Sequence, residues 1–299
     1  MKNKKTMGAI FVAIAAFLWS SNAPFVRFLS LDGFQVIAFR GLIACLSLLP
    51  FLRIRKIKFN WCFLGYILCF AGVVFGVTLA LKTTSSPIAV GMQYTSCIWL
   101  FLIAKPNKKD WRFSRLWPMA LLVTGVVITM FSGSEGITLT GNLIALSTSF
   151  SFAGLTWFAD KIQTENKAGL SCLGNLFTGL IALLISRPSL EFVQNISLNE
   201  WLIFVYLGVF QTGLAYTCYY LGLKHTAPAT ATLIAPLEMI LAPVWTAIFL
   251  GELPNLVGLI GFIIVIIGVV GEAIVSSKRS NADDIKEKEN GKTTCERNE

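Results

Sequence analysis

The chain has 299 residues, 55% of them hydrophobic and 14% charged, where soluble domains average about 25% charged. Its formal net charge is +9, but the basic residues stand in short stretches between long apolar runs. That excludes a nucleic-acid-binding surface and fits positive loops beside a membrane. Seven cysteines with no C-x-x-C spacing and a single histidine, His225, leave a zinc or haem site without ligands, so we expect no metal and no cofactor.

A helix that crosses a bilayer needs about 20 apolar residues. Such runs fall at about 8–28, 34–52, 60–81, 85–104, 115–132, 141–159, 169–187, 200–222, 227–250 and 255–275. They predict an all-α integral membrane protein with ten transmembrane helices. Residues 1–7 precede the first run and carry Lys2, Lys4 and Lys5. That run is too long for a signal peptide and lacks a small-residue cleavage site, so it is expected as a retained first helix. It contains "WSSN", from Trp19 to Asn22.

The second run carries Arg40, about six residues and so about 9 Å from its predicted outer end. Three readings stand open for it: attraction of an anionic substrate group, snorkelling to headgroups, or pairing with Asp32. The fourth run holds "MQYTSCIW", with Gln93, Tyr94, Ser96 and Trp99; the sixth holds Ser147, Ser149, Ser151 and Trp157; the eighth holds Gln211, Thr212, Tyr216, Tyr219 and Tyr220. Glycines such as Gly72, Gly76, Gly261 and Gly268 allow helices to approach closely. In the ninth run Glu238 stands near the middle, flanked by Pro236 and Pro243. The tail, 276–299, is expected to be disordered because it has little apolar surface to offset chain entropy. His225 is expected as a surface residue in an inner turn, and the cysteines as small packing residues.

Loop charge sets the orientation. With the amino terminus in the cytoplasm, fifteen basic residues before the tail fall inside, among them Arg53, Arg55, Lys108, Lys161 and Lys224. Only Arg27, Lys82 and Arg187 fall outside. Both termini are therefore predicted to be cytoplasmic.

The chain also repeats. "LALKTT" at 79–84 matches "LGLKHT" at 221–226 at an offset of 142. "GVV" recurs at 125–127 and 268–270, and "GAIFVAIAAF" at 8–17 resembles "GNLIALSTSF" at 141–150. The repeats are 8–132 and 141–275, each holding five runs. Five is odd, so the second half would enter the membrane inverted, which is a transporter architecture.

The stretch "LGLKHTAPATATLIAPLEMILAPVWTAIFLGE", 221–252, resembles the ninth helix of EamA-type members of the drug/metabolite transporter superfamily. The matching features are Lys224, Glu238, Pro243, Trp245 and the closing Gly251-Glu252, with "FRG" at 39–41 in the second run. The likeness spans about 8–275. It implies a central cavity near the midplane lined by Trp19, Asn22, Gln93, Tyr94, Trp99, Gln211 and Tyr216. Glu238 would stand at its wall as a gate or protonation site. The first half departs from the pattern: Ser96 falls where the repeat offset places Glu238, and no Gly-Glu closes the fourth run.

An acid at bilayer depth costs about 2.5 kcal/mol or more, so Glu238 should face a partner or water. It then either cycles protons in transport or holds helices together. The predicted function is a secondary transporter in a bacterial plasma membrane. It would move small organic metabolites, amino acids or derivatives among them, by alternating access, and the resemblance favours export. An uptake carrier for a nucleoside-like metabolite is the alternative. A membrane scaffold or sensor would need a soluble domain, and an intramembrane enzyme would need a second central acid, a His-rich helix or a Ser-Lys pair. No Walker motif is present. The expected partners are the small-molecule substrate and membrane lipid, with no nucleic acid.

Overall fold

In a bilayer the backbone must satisfy its own hydrogen bonds, which leaves helices as the open solution for this chain. The computed structural model describes residues 2–103, 112–131, 138–162, 164, 166–225, 234–251 and 255–295, and no strand occurs among them. Six helical segments among these residues are long and apolar enough to cross a membrane: Thr6–Phe28, Gly33–Phe51, Trp61–Thr83, Lys167–Ser186, Leu198–His225 and Leu256–Val275. Ile88–Ile103, Leu116–Met130 and Leu237–Leu250 are shorter apolar helices. Leu139–Ile162 is long enough but more polar, with serines and threonines along its length. Large apolar side chains face outward, Leu46 at 67% exposure and Leu184 at 71%, which is the surface a lipid environment accepts.

The helices are α1 (Lys2–Ser20), α2 (Asn22–Phe28), α3 (Gly33–Leu48), α4 (Trp61–Thr83), α5 (Ser86–Gly91), α6 (Ser96–Ile103) and α7 (Phe113–Met130). They continue with α8 (Leu139–Ile162), α9 (Lys167–Ser186), α10 (Leu190–Gln194), α11 (Leu198–Val205), α12 (Ala215–His225), α13 (Leu237–Leu250) and α14 (Leu256–Cys295). Polar side chains set several starts. Asp32 and Gln35 form a capping box on α3, and Ser197 and Glu200 form one on α11. Gly251 ends α13 in the left-handed region at φ 67°, where a residue without Cβ is favoured.

Three predicted spans are interrupted, each for a local reason. Ser20 and Ser21 turn their hydroxyls back onto the carbonyls of Phe17 and Leu18 at 2.6 and 2.7 Å. Pro24 has no N–H to offer the Ser20 carbonyl, so the first span breaks between α1 and α2. The fourth span passes from α5 through a 3₁₀ turn, Met92–Thr95, into α6. The eighth carries a π-helical stretch, Tyr206–Leu214, between α11 and α12. There the Thr212 hydroxyl donates to the carbonyl five residues back, Leu207, at 2.9 Å. Wide turns of this kind concentrate at functional sites.

The principal helix contacts are α1 with α12, α4 with α8, α3 with α9, and α7 with α14. The last two close on glycine. A Cβ built on Gly125 would lie 2.7 Å from the Gly261 carbonyl oxygen, and one on Gly41 would lie 3.3 Å from Gly179 Cα. Backbones this near leave no room for a side chain. Cys45 and Cys172 meet at the α3–α9 contact as free thiols, sulfurs 3.7 Å apart.

The polar composition from residue 276 predicts a disordered tail, whereas the helical backbone of α14 runs on to Cys295. The segment is rich in Lys and Glu, which are good helix formers.

Candidate functional site

The ninth span supplies the acid. The sequence pattern sets Glu238 in mid-helix between two prolines. Instead, Pro236 caps α13 and Glu238 lies in its first turn. The unpaired N–H groups of a helix start, and its positive dipole end, favour a carboxylate there. Residues 226–233 and Glu252 lie outside the described residues.

The acid's partner comes from the fourth span. The Tyr94 hydroxyl oxygen is 3.2 Å from Glu238 Oε2 and 3.3 Å from the Ala235 carbonyl. One phenolic proton serves both acceptors. Glu238 is half-buried, and the carboxylate faces protein.

A second polar contact joins the first two spans. Arg40 Nη1 donates to Asn22 Oδ1 at 3.0 Å, and both residues are buried, Arg40 at 9% exposure and Asn22 at 8%. Arg40 therefore does not snorkel. Asp32 is occupied at the α3 cap, accepting from Phe34 N at 3.0 Å. Tyr216 on α12 lies within electrostatic reach of Glu238 and of Arg40.

Aromatic rings enclose this region. Trp19 meets Tyr216 edge-on at 5.2 Å and Tyr219 at 5.3 Å between centroids. Tyr216 stacks on Tyr220 at 5.9 Å, and the Tyr220 hydroxyl is 2.8 Å from Ser171 Oγ. Below them Trp245 Nε1 donates to Ser20 Oγ at 2.8 Å, which ties α13 to the break in the first span.

The predicted cavity residues thus divide. Tyr94 bonds Glu238, Asn22 accepts from Arg40, and Trp19 packs on Tyr216. Trp99 instead donates to Ser149 Oγ at 2.8 Å and packs edge-on to Phe150, a contact between α6 and α8. Gln211 is buried in the π-helical stretch against the Thr212 hydroxyl at 3.0 Å. Gln93 is half-buried in the 3₁₀ turn. Trp157 lies under Lys161, whose Nζ is 5.6 Å from the ring centroid.

Sequence reasoning passed over Tyr66, Ser171 and Glu272. Tyr66 lies within reach of Ser171, Tyr216 and Tyr220, and Glu272 on α14 acts on Cys97. No spacing rule signals either contact, because each joins distant spans.

An open cleft of about 680 Å³ lies away from this cluster, lined by Arg27, Lys82, Thr83, Thr84, Thr138 and Thr140 among others. Its cations tie helix ends: Arg27 Nε donates to the Leu81 carbonyl at 2.9 Å, and Lys82 to that of Leu29. The Tyr94–Glu238 and Asn22–Arg40 contacts are not among the residues lining this cleft.

Residues 139–272 match the EamA-like transporter family. The second half of the chain is thus similar to an EamA-like transporter domain. A relative in Clostridium kluyveri named "Uncharacterized transporter" is 25% identical over 307 residues, covering 93% of this chain and 96% of its own. "Uncharacterized transporter YdfC" of Bacillus subtilis is 25% identical over 283 residues, covering 90% and 92%. The likeness to these two proteins therefore runs through both halves of the chain. A solved crystal structure shares the fold at a TM-score of 0.60 and 18% identity, over 90% of this chain and 98% of that one. At that identity it speaks for fold alone. These findings bear out the resemblance drawn from Lys224, Glu238, Pro243, Trp245 and Gly251.

Proposed function

We propose that this chain is a secondary carrier of ten spans in two inverted five-helix halves, moving small organic metabolites by alternating access. One observation carries the reading: the helix contacts map onto themselves when the halves exchange. With α1–α2 as span one and α8 as span six, the α1–α12 contact exchanges with α4–α8, while α3–α9 and α7–α14 each return to themselves. The contact of α3 with the π-helical stretch likewise exchanges with that of α4 with α9. A molecule with this pairing can swap the conformations of its halves and open its centre to alternate sides.

Tyr94 and Glu238 meet where the equivalent fourth and ninth spans come together, so their contact lies on the element that exchange would move. The basic loops support both termini in the cytoplasm, in the plasma membrane of a bacterium. Amino acids and their derivatives are the favoured cargo and export the favoured direction. The test is a metabolite survey of cells with and without the protein, by mass spectrometry of cytoplasm and medium. One compound class depleted inside and enriched outside supports export, and the reverse supports uptake. No difference, with the protein present in the membrane, overturns the carrier reading.

A further inference from the structure

Among the described residues, Cys45 and Cys172 are the two free thiols whose sulfurs meet, 3.7 Å apart. One stands on α3 and the other on α9, 127 residues away in sequence, so each half of the chain supplies one. Cys45 is 6% exposed and Cys172 fully buried. The Cys172 thiol also donates to the Cys45 carbonyl oxygen at 3.5 Å, which seats the second sulfur over the turn that carries the first. From van der Waals contact, side-chain rotation can close the gap to the about 2 Å of a covalent S–S bond. The helices hold the pair close, because a Cβ on Gly41, one turn before Cys45, would lie 3.3 Å from Gly179 Cα. Through these contacts the numbering rises along α3 as it falls along α9, so the helices are antiparallel. Cys45 and Cys172 therefore share one end of the contact, near the close of α3 at Leu48 and the start of α9 at Lys167. Arg53, Arg55, Lys161 and Lys167 flank that end, and basic loops face the cytoplasm. There a disulfide is transient rather than permanent, which fits thiols that meet and stay free.

We infer that Cys45 and Cys172 form a redox modification site, at which a lipid-soluble hydroperoxide converts the two thiols into a disulfide that ties α3 to α9. Burial in apolar spans shields the pair from charged oxidants in water. Cys45, the more exposed, reacts first: its sulfur takes an oxygen from the hydroperoxide, giving a sulfenic acid and an alcohol. The Cys172 sulfur then attacks the Cys45 sulfur, the S–S bond forms and water leaves. The two thiols give up two electrons and two protons, and the hydroperoxide ends as an alcohol and water. The bond goes beyond the carrier reading, and its effect on transport rests on that reading. Ser171, beside Cys172, bonds the Tyr220 hydroxyl at 2.8 Å, so the tie also restrains the ring cluster. A carrier whose halves must part at this end stops while the bond holds.

The test uses the full chain, reduced with dithiothreitol and purified in detergent, with cumene hydroperoxide as the probe. Remaining thiols are alkylated and the protein is digested for mass spectrometry. The expected product is a linked peptide pair containing Cys45 and Cys172, which comes apart when the digest is reduced. Cys62, Cys69, Cys97 and Cys218 should stay alkylated. Folded, unsubstituted protein that yields no such pair, or links these two no more than the other cysteines, overturns the inference and leaves them as packing residues. In cells treated with the probe, the metabolite difference made by the parent should fall about tenfold or more. Cys45→Ser, or Cys172→Ser where that folds better, should keep it. No fall in the parent, or an equal fall in the variant, overturns the lock. A survey with no metabolite difference even before treatment defeats the carrier reading instead, and the linked peptides still decide the site.

Discussion

The predicted fourth and ninth spans lie about 142 residues apart, the offset of the sequence repeat, and each starts a helix near the matching residue. α6 begins at Ser96 after a 3₁₀ turn, and α13 begins at Leu237 after Pro236. In one the opening turn carries a buried serine; in the other it carries Glu238. The spans then meet through Tyr94, whose hydroxyl approaches Glu238 at 3.2 Å. The backbone device is shared and the charge is not. Similar helix starts thus occur in both spans, while the acid stands in one of them. The same division separates Trp99, which ties α6 to α8 through Ser149, from Trp245, which ties α13 to the broken first span through Ser20.

Restoring symmetry should cause the largest damage. Ser96→Glu puts a second acid at a site only 5% exposed. It should cost about 2.5 kcal/mol or more, seen as a large drop in melting temperature in detergent. A variant as stable as its parent would mean that the fourth-span site is open to water. Next is Tyr94→Phe, which removes the donor between the spans and leaves the carboxylate without that proton. The expected loss is about 1–3 kcal/mol, measured by thermal unfolding, and transport should fall with it. Unchanged melting and transport would make the contact incidental. Smallest is Trp99→Phe, which keeps the ring against Phe150 and removes the bond to Ser149. It should cost about 1 kcal/mol in stability and leave substrate preference intact. A change of preference would place Trp99 at the site after all.

Much of the fold was legible because bilayer-length apolar runs are a strong signal. Even α8, the most polar long helix, appeared as the run 141–159. The interruptions were hidden for physical reasons. The break at Ser21 depends on two hydroxyls folding back onto carbonyls, which composition does not disclose. Pro236 looks like a kink inside a span and is instead a helix cap, which moves Glu238 from mid-helix to a helix start. Of the site, Glu238, Tyr94, Trp19, Asn22 and Tyr216 could be picked out as polar or aromatic residues at depth. Their pairing could not: Tyr94 and Glu238 are 144 residues apart. Gln211 and Trp99 looked the same in sequence, yet they spend their polar atoms on helix-to-helix ties. Arg40 carried three readings until its bond to Asn22 removed two of them.

The central claim is that Glu238 serves transport rather than only holding helices together. The most direct measurement compares the protein with Glu238→Gln in the metabolite survey, at matched membrane levels and matched melting temperature. Glutamine keeps the size and can still accept from Tyr94, but it loses the charge. The account predicts that the metabolite difference seen with the parent falls about tenfold or more, equivalent to about 1.4 kcal/mol. Equal metabolite shifts from the two proteins would contradict it and leave Glu238 an architectural residue.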